Sequence, residues 1–182
     1  MKNILASLSN EQAAIILKQL WDKGGDIRNS ILAEAEKILC SVDVDEIARD
    51  ILFTLDLIDV HELWDRSGHS HDGYTSPEEM AYEMVEEELS PYLDQIDTYH
   101  KLGMHNEEKL YCMGVLRGLY LYQKEAKSEF RNWAVDIPVE LFGSLLERWR
   151  KRTRGHQQKS EMDDFLRATC QDWAKQHCKS RK

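Results

Sequence analysis

Apolar residues recur at three- and four-residue steps along most of this chain, and no stretch holds a sustained two-residue alternation between turn signals. That periodicity predicts an all-α protein with essentially no strand. The helix boundaries are legible from their caps. Ser9 and Gln12 have capping-box spacing, and Ala13, Ile16, Leu17, Leu20 and Trp21 follow until Gly24-Gly25. A second helix is expected from Asp26, carrying Ile27, Ile31, Ala35, Ile38 and Leu39, so that the two make a short-looped αα-hairpin. A third opens near Asp43, with Glu46 at the capping position and Val44, Ile47, Ala48, Ile51, Leu55 and Ile58 along one face; "HELWDRSG" is read as its extension to Gly68, anchored by Leu63 and Trp64.

Ser76-Pro77-Glu78-Glu79 is the strongest start signal. It places serine at the cap, proline at the first helical position and glutamate three residues after the serine. That helix is expected to reach Gly103 with a kink or break near Glu87 to Pro91, because proline removes a backbone bond. From Asn106 the next helix sets Gly114 and Gly118 four apart on one face, flanked by Tyr111, Tyr120 and Tyr122. Each glycine costs about 1 kcal/mol of helix propensity, and the return is close approach by another helix. Asp136 and Pro138 start a helix bearing Leu141, Phe142, Leu145, Leu146 and Trp149; Ser160 with Asp163 opens a last one carrying Phe165, Leu166, Cys170, Trp173 and Ala174. The expected architecture is about seven helices as stacked antiparallel hairpins, either an irregular bundle or a short HEAT/TPR-like stack. At 182 residues it is read as a single helical domain, 1–182, within which a basic C-terminal subregion, 150–182, can be set apart.

Charge is distributed unevenly. The net charge is −9, yet between Arg66 and Lys101 there is no lysine or arginine, while residues 145–182 carry eleven basic and five acidic residues. The run "RWRKRTRGHQQK", Arg148 to Lys159, therefore has two readings. It can serve as a sequence-nonspecific nucleic-acid contact, or it can pair with the acidic helix over 78–97. Overall acidity and the absence of a reading motif favour the second. Glu86-Glu87-Glu88 is read as a solvated face, since adjacent helical positions diverge. Cys40, Cys112, Cys170 and Cys178 form no CxxC pair and fit free buried thiols in a reducing compartment. With no run of about 18 apolar residues, the expectation is a cytoplasmic protein without membrane contact.

"DRSGHSHDGYTSPEE", Asp65 to Glu79, groups histidines with an aspartate. His69, His71 and Asp72, helped by His61 and Asp65, form the metal-ligand alternative, and "HELWD" is a near miss of the zinc motif HExxH with Asp65 in place of the second histidine. The preferred reading is a turn whose Gly68 and Gly73 redirect the chain into the next cap. His100 and His105, around Gly103, are read as a helix C-terminus suited to histidine. No phosphate-cradling loop, GxSxG or cysteine-histidine pair is present, so no catalytic, metal or cofactor residue is assigned.

Three phrases, "SLSNEQAAIILKQLWDKGGDIRNSIL", "LDLIDVHELWDRSGHSHDGYTSPEEMAYEMVEEELSPYLDQI" and "LGMHNEEKLYCMGVLRGLYLY", resemble the helical region that follows the SWIM zinc finger in bacterial and archaeal SWIM-domain proteins, over residues 5 to 150. The finger itself, CxC followed by CxH, is absent, so the resemblance brings no zinc ligand and no activity to any position. The reading is a noncatalytic helical module for a protein partner or self-association. The alternatives are a metal-dependent enzyme built on the 61–72 loop and nonspecific nucleic-acid binding.

Overall fold

A computed structural model describes residues 4–70 and 73–178. Among them are nine α-helices, two short 3-10 turns and one two-stranded ribbon. The chain divides into two units, Met1–Ser41 and Val42–Lys182.

The first unit holds α1 (Asn10–Asp22) and α2 (Gly25–Cys40). Ser9 caps α1 through the expected box, with its hydroxyl accepting from the Gln12 amide and the Gln12 side chain accepting from the Ser9 amide. Gly24, not Asp26, caps α2: φ of 69° and 57° at Gly24 and Gly25 is cheap only for glycine and turns the chain within two residues. Neither helix contains a buried residue. Leu20, Ile31 and Leu39 are half-buried.

The second unit is built around α6 (His105–Glu125), which touches α3 (Val44–Asp56), α5 (Pro77–Lys101), α7 (Ile137–Arg152) and α8 (His156–Thr169). Gly114 and Gly118 meet α3 as expected. A Cβ on Gly114 would lie 2.8 Å from Ile47 Cβ, and one on Gly118 2.7 Å from Ile51 Cβ. Two glycines one turn apart thus let the α3 backbone settle against α6. Leu116, Leu119 and Tyr122 continue a core shared with Leu89, Ile96, Phe142, Leu146 and Trp149.

Several boundaries differ from the sequence reading. "HELWDRSG" is a separate helix, α4 (Val60–Arg66), because the Asp59 side chain accepts from the His61 amide at 2.8 Å and restarts the chain as an N-cap. Leu63 is buried there, but Trp64 is 47 % exposed and meets the Trp133 ring edge-on at 4.7 Å. α5 runs unbroken through Pro91, whose lost bond is outweighed by the burial of Leu89 and Ile96 on either side. The last helix starts early, at His156 behind Gly155. It is divided at Cys170 (φ −126°, ψ 51°) into α8 and α9 (Gln171–His177), and this division together with the separate α4 brings the helices among the described residues to nine against about seven expected. The expectation of an all-α protein with essentially no strand holds apart from one small addition, Gly68–Ser70 and Gly73–Thr75, an antiparallel pair (β1, β2) with His69 opposite Tyr74. Three-residue strands are too short to show alternation; Gly68 (φ 102°) opens β1 opposite Thr75, and Gly73 (φ 138°) opens β2 opposite Ser70. No helix among the described residues is long and apolar enough to cross a membrane.

Candidate functional site

The residues singled out around the 61–72 loop are not drawn together where they are described. His61 and Asp65 lie exposed on α4, and His69 sits on β1 with its ring 5.1 Å from that of Tyr74. His71 and Asp72 fall outside the described residues. Glu86, Glu87 and Glu88 are exposed as expected, and Glu87 holds the Arg66 guanidinium through two bonds of 2.7 and 2.8 Å. Of the four cysteines, Cys112 and Cys170 are buried, Cys178 is half-buried and Cys40 is exposed, against the expectation that all are buried. Cys40 occupies the last position of α2, a helix that buries nothing.

A different cluster forms where α5 turns into α6. Gly103, at φ 72°, ends α5 with its amide donating to the His100 carbonyl (3.1 Å), while the Met104 amide donates to that of Tyr99 (3.0 Å). This Schellman turn reverses the chain in two residues. His100, in the last turn of α5, and His105, the first residue of α6, then come to 5.8 Å between ring centroids. His105 was expected at a helix C-terminus and stands instead at an N-terminus. Both rings face Glu108, one turn into α6: Nδ1 of His100 is 3.1 Å and Nδ1 of His105 3.3 Å from the same oxygen, Oε2. His–x–x–Glu at a helix start was the available signal, since positions three apart share a face.

The Glu108 side chain is 3 % exposed and its charge needs a partner. Arg152, at the end of α7, supplies it: Nε lies 2.6 Å from Oε1, out of line for a directed hydrogen bond, so the contact is an ion pair. The Arg152 Nη1 donates to Asp97 on α5 at 2.7 Å. Burial raises the affinity of the Asp97 carboxyl for its proton, but the Arg152 bond and the charges of Arg148, Arg152 and Lys101 outweigh it and hold the group below its ordinary range. The arrangement opens into a cavity of about 390 Å3 lined also by Thr153, Arg154, Gly155 and Gln158.

Three cations of the basic run, Arg150, Lys151 and Arg152, are engaged within the fold. Arg150 binds the His177 carbonyl at 2.7 Å and pairs with Asp163, Lys151 meets Glu147 at 2.9 Å, and Arg152 reaches the acidic helix as the second sequence reading anticipated. Comparison with family models, with curated proteins and with solved structures finds no match to this chain.

Proposed function

We propose that this protein is a noncatalytic helical interaction module that self-associates through the α1–α2 hairpin. The observation that carries the reading is that neither helix buries a residue, while Ile15, Leu17, Ile27, Leu32 and Ile38 are between 41 and 74 % exposed. A segment of about 40 residues or fewer rarely forms a stable core without oligomerisation, a metal or disulfides. A second copy of the same hairpin supplies the missing layer in the form of a four-helix bundle. Charge does not oppose such pairing, since residues 10–40 carry five acidic and four basic side chains in a chain of net −9. In the second unit, the position of α6 among four helices supports the irregular-bundle form of the architecture over a regular superhelical stack. The resemblance to the helical region of SWIM-domain proteins adds no binding or catalytic residue to this reading.

Sedimentation equilibrium on the full chain tests this. The wild type should be dimeric at tens of micromolar, and the Leu17→Glu/Ile38→Glu double variant monomeric with an unchanged circular dichroism spectrum. A monomeric wild type, or a dimer that survives both glutamates, overturns the assignment.

A further inference from the structure

We propose that His100, His105 and Glu108 form a mononuclear site for a divalent transition-metal ion of the zinc class, with its remaining position open to the cavity between the α5–α6 turn and the start of α8. Two imidazoles and one carboxylate are a donor set that zinc accepts. The spacing carries the argument. With zinc–ligand bonds of about 2.0–2.1 Å in tetrahedral geometry, neighbouring donor atoms stand roughly 3.3 Å apart. The two Nδ1–Oε2 separations, 3.1 and 3.3 Å, match that spacing, while the third donor pair lies within 4.8 Å, so the two partly exposed imidazoles would close on the ion by side-chain rotation.

The surroundings are compatible with coordination. Both nitrogens converge on one carboxylate oxygen, and the other oxygen is taken by Arg152, which fixes the carboxylate so that Oε2 faces the imidazoles. Arg152 acts as a positioning residue through this ion pair, in the place behind the ligand that a second partner of a metal-binding carboxylate commonly occupies. Its charge opposes a cation, as does the positive end of α6, but Asp97 binds the same guanidinium at 2.7 Å and offsets it. The three donors come from two helices joined by a turn whose backbone is fixed by Gly103, so the pocket exists before the ion arrives. The His100 and His105 side chains are 38 and 60 % exposed, which leaves an entry path, and Thr153 and Gln158 line the open side. This site lies in the second unit and stands independently of self-association through the first.

The test is calorimetric titration of zinc into the chelator-stripped full chain, alongside the variants His100→Ala/His105→Ala and His69→Ala/His71→Ala. The wild type and the second variant should each bind about one zinc per chain with Kd near or below about 1 μM. The first should bind at least about a hundredfold more weakly. Both replaced imidazoles are partly exposed, so that variant should keep its metal-free melting curve; His105→Gln, at the more exposed position, is the substitute if it does not. Cobalt adds a spectroscopic reading, with ligand-field absorption in the wild type and none in the His105→Gln protein. A wild type without a saturable site, a site that survives loss of both His100 and His105, or one abolished by His69→Ala/His71→Ala would each overturn the assignment.

Discussion

Replacing Gly118 by alanine sets two effects of opposite sign against each other. In an exposed helix the change would stabilise by about 1 kcal/mol through helix propensity. Here the new Cβ would lie 2.7 Å from Ile51 Cβ, 2.9 Å from its Cγ2 and 3.1 Å from the Ala48 carbonyl oxygen. Ile51 is fully buried and the Ala48 oxygen is backbone, so neither can move without shifting α3. Overpacking of this kind costs about 1–3 kcal/mol, which leaves a net destabilisation of about 0–2 kcal/mol, and leucine should be worse. Gly114→Ala should lose less, because its neighbours are all side-chain atoms of the half-buried Ile47. Gly143→Ala is the internal control: the three atoms nearest its Cβ would all belong to the His177 ring, with Cε1 at 2.8 Å, and a ring at the end of a side chain can swing aside. Urea denaturation followed by circular dichroism should therefore rank the three as Gly118 least stable, then Gly114, then Gly143 at or above the wild type. Stabilisation by Gly118→Ala would refute the close approach of α3 and α6.

Three further outcomes follow from the same packing. Asp56 accepts the Lys127 and Ser128 amides at 2.8 Å each; burial pushes its carboxyl up, but those donors and Lys127 draw it below the ordinary value. A depressed carboxyl contributes stability above its unfolded pKa and loses it as pH falls through the folded one, so Asp56→Ala should cost about 1–2 kcal/mol at pH 7 and the gap in urea midpoints should close below about pH 4. Burial pushes the Cys112 thiol up to about 12 and that of Cys170 to about 11, so alkylation of the native protein at pH 8 should label Cys40 quickly and those two only on unfolding; rapid labelling of Cys112 would contradict the core as described. In buffer containing zinc, His69→Ala/His71→Ala should leave thermal stability within about 0.5 kcal/mol of the wild type, as expected of a surface turn, and a larger loss that a chelator abolishes would restore the loop as a structural metal site.

The parts of this fold that the sequence made legible are those written in short-range chemistry. Ser9–Gln12 and Ser76–Glu79 name their caps because both partners lie within one turn, and Gly114 with Gly118 announces a close contact without saying with what. Where two local signals compete, the sequence alone does not rank them: Asp59 as a cap overrides the apolar continuity from Leu55 to Leu63, and burial on both sides overrides Pro91. The cluster at the α5–α6 turn was only half visible. His100, His105 and Glu108 lie within nine residues, but recognising them needed the direction of the turn after Gly103, and Arg152 arrives from another helix altogether. The more conspicuous "GHSHDG" drew attention because its histidines are close in sequence, which in a three-residue strand pair says little about convergence.

A hairpin with no buried residue also has a consequence for motion. The free energy needed to open a segment rises with the apolar surface that opening exposes to water, so the amides of α1 and α2 should exchange with solvent deuterium through a low-energy local opening, while those of α6, with Val115 and Leu116 fully buried, should exchange only near the global unfolding limit. If the hairpins pair as proposed, mass action gives the two sets different dependences on protein concentration: protection in α1 and α2 should rise as the chain is concentrated, and protection in α6 should stay flat. One exchange experiment at two dilutions would thus separate a part of the chain whose order is set by its own sequence from a part whose order is set by how many copies surround it.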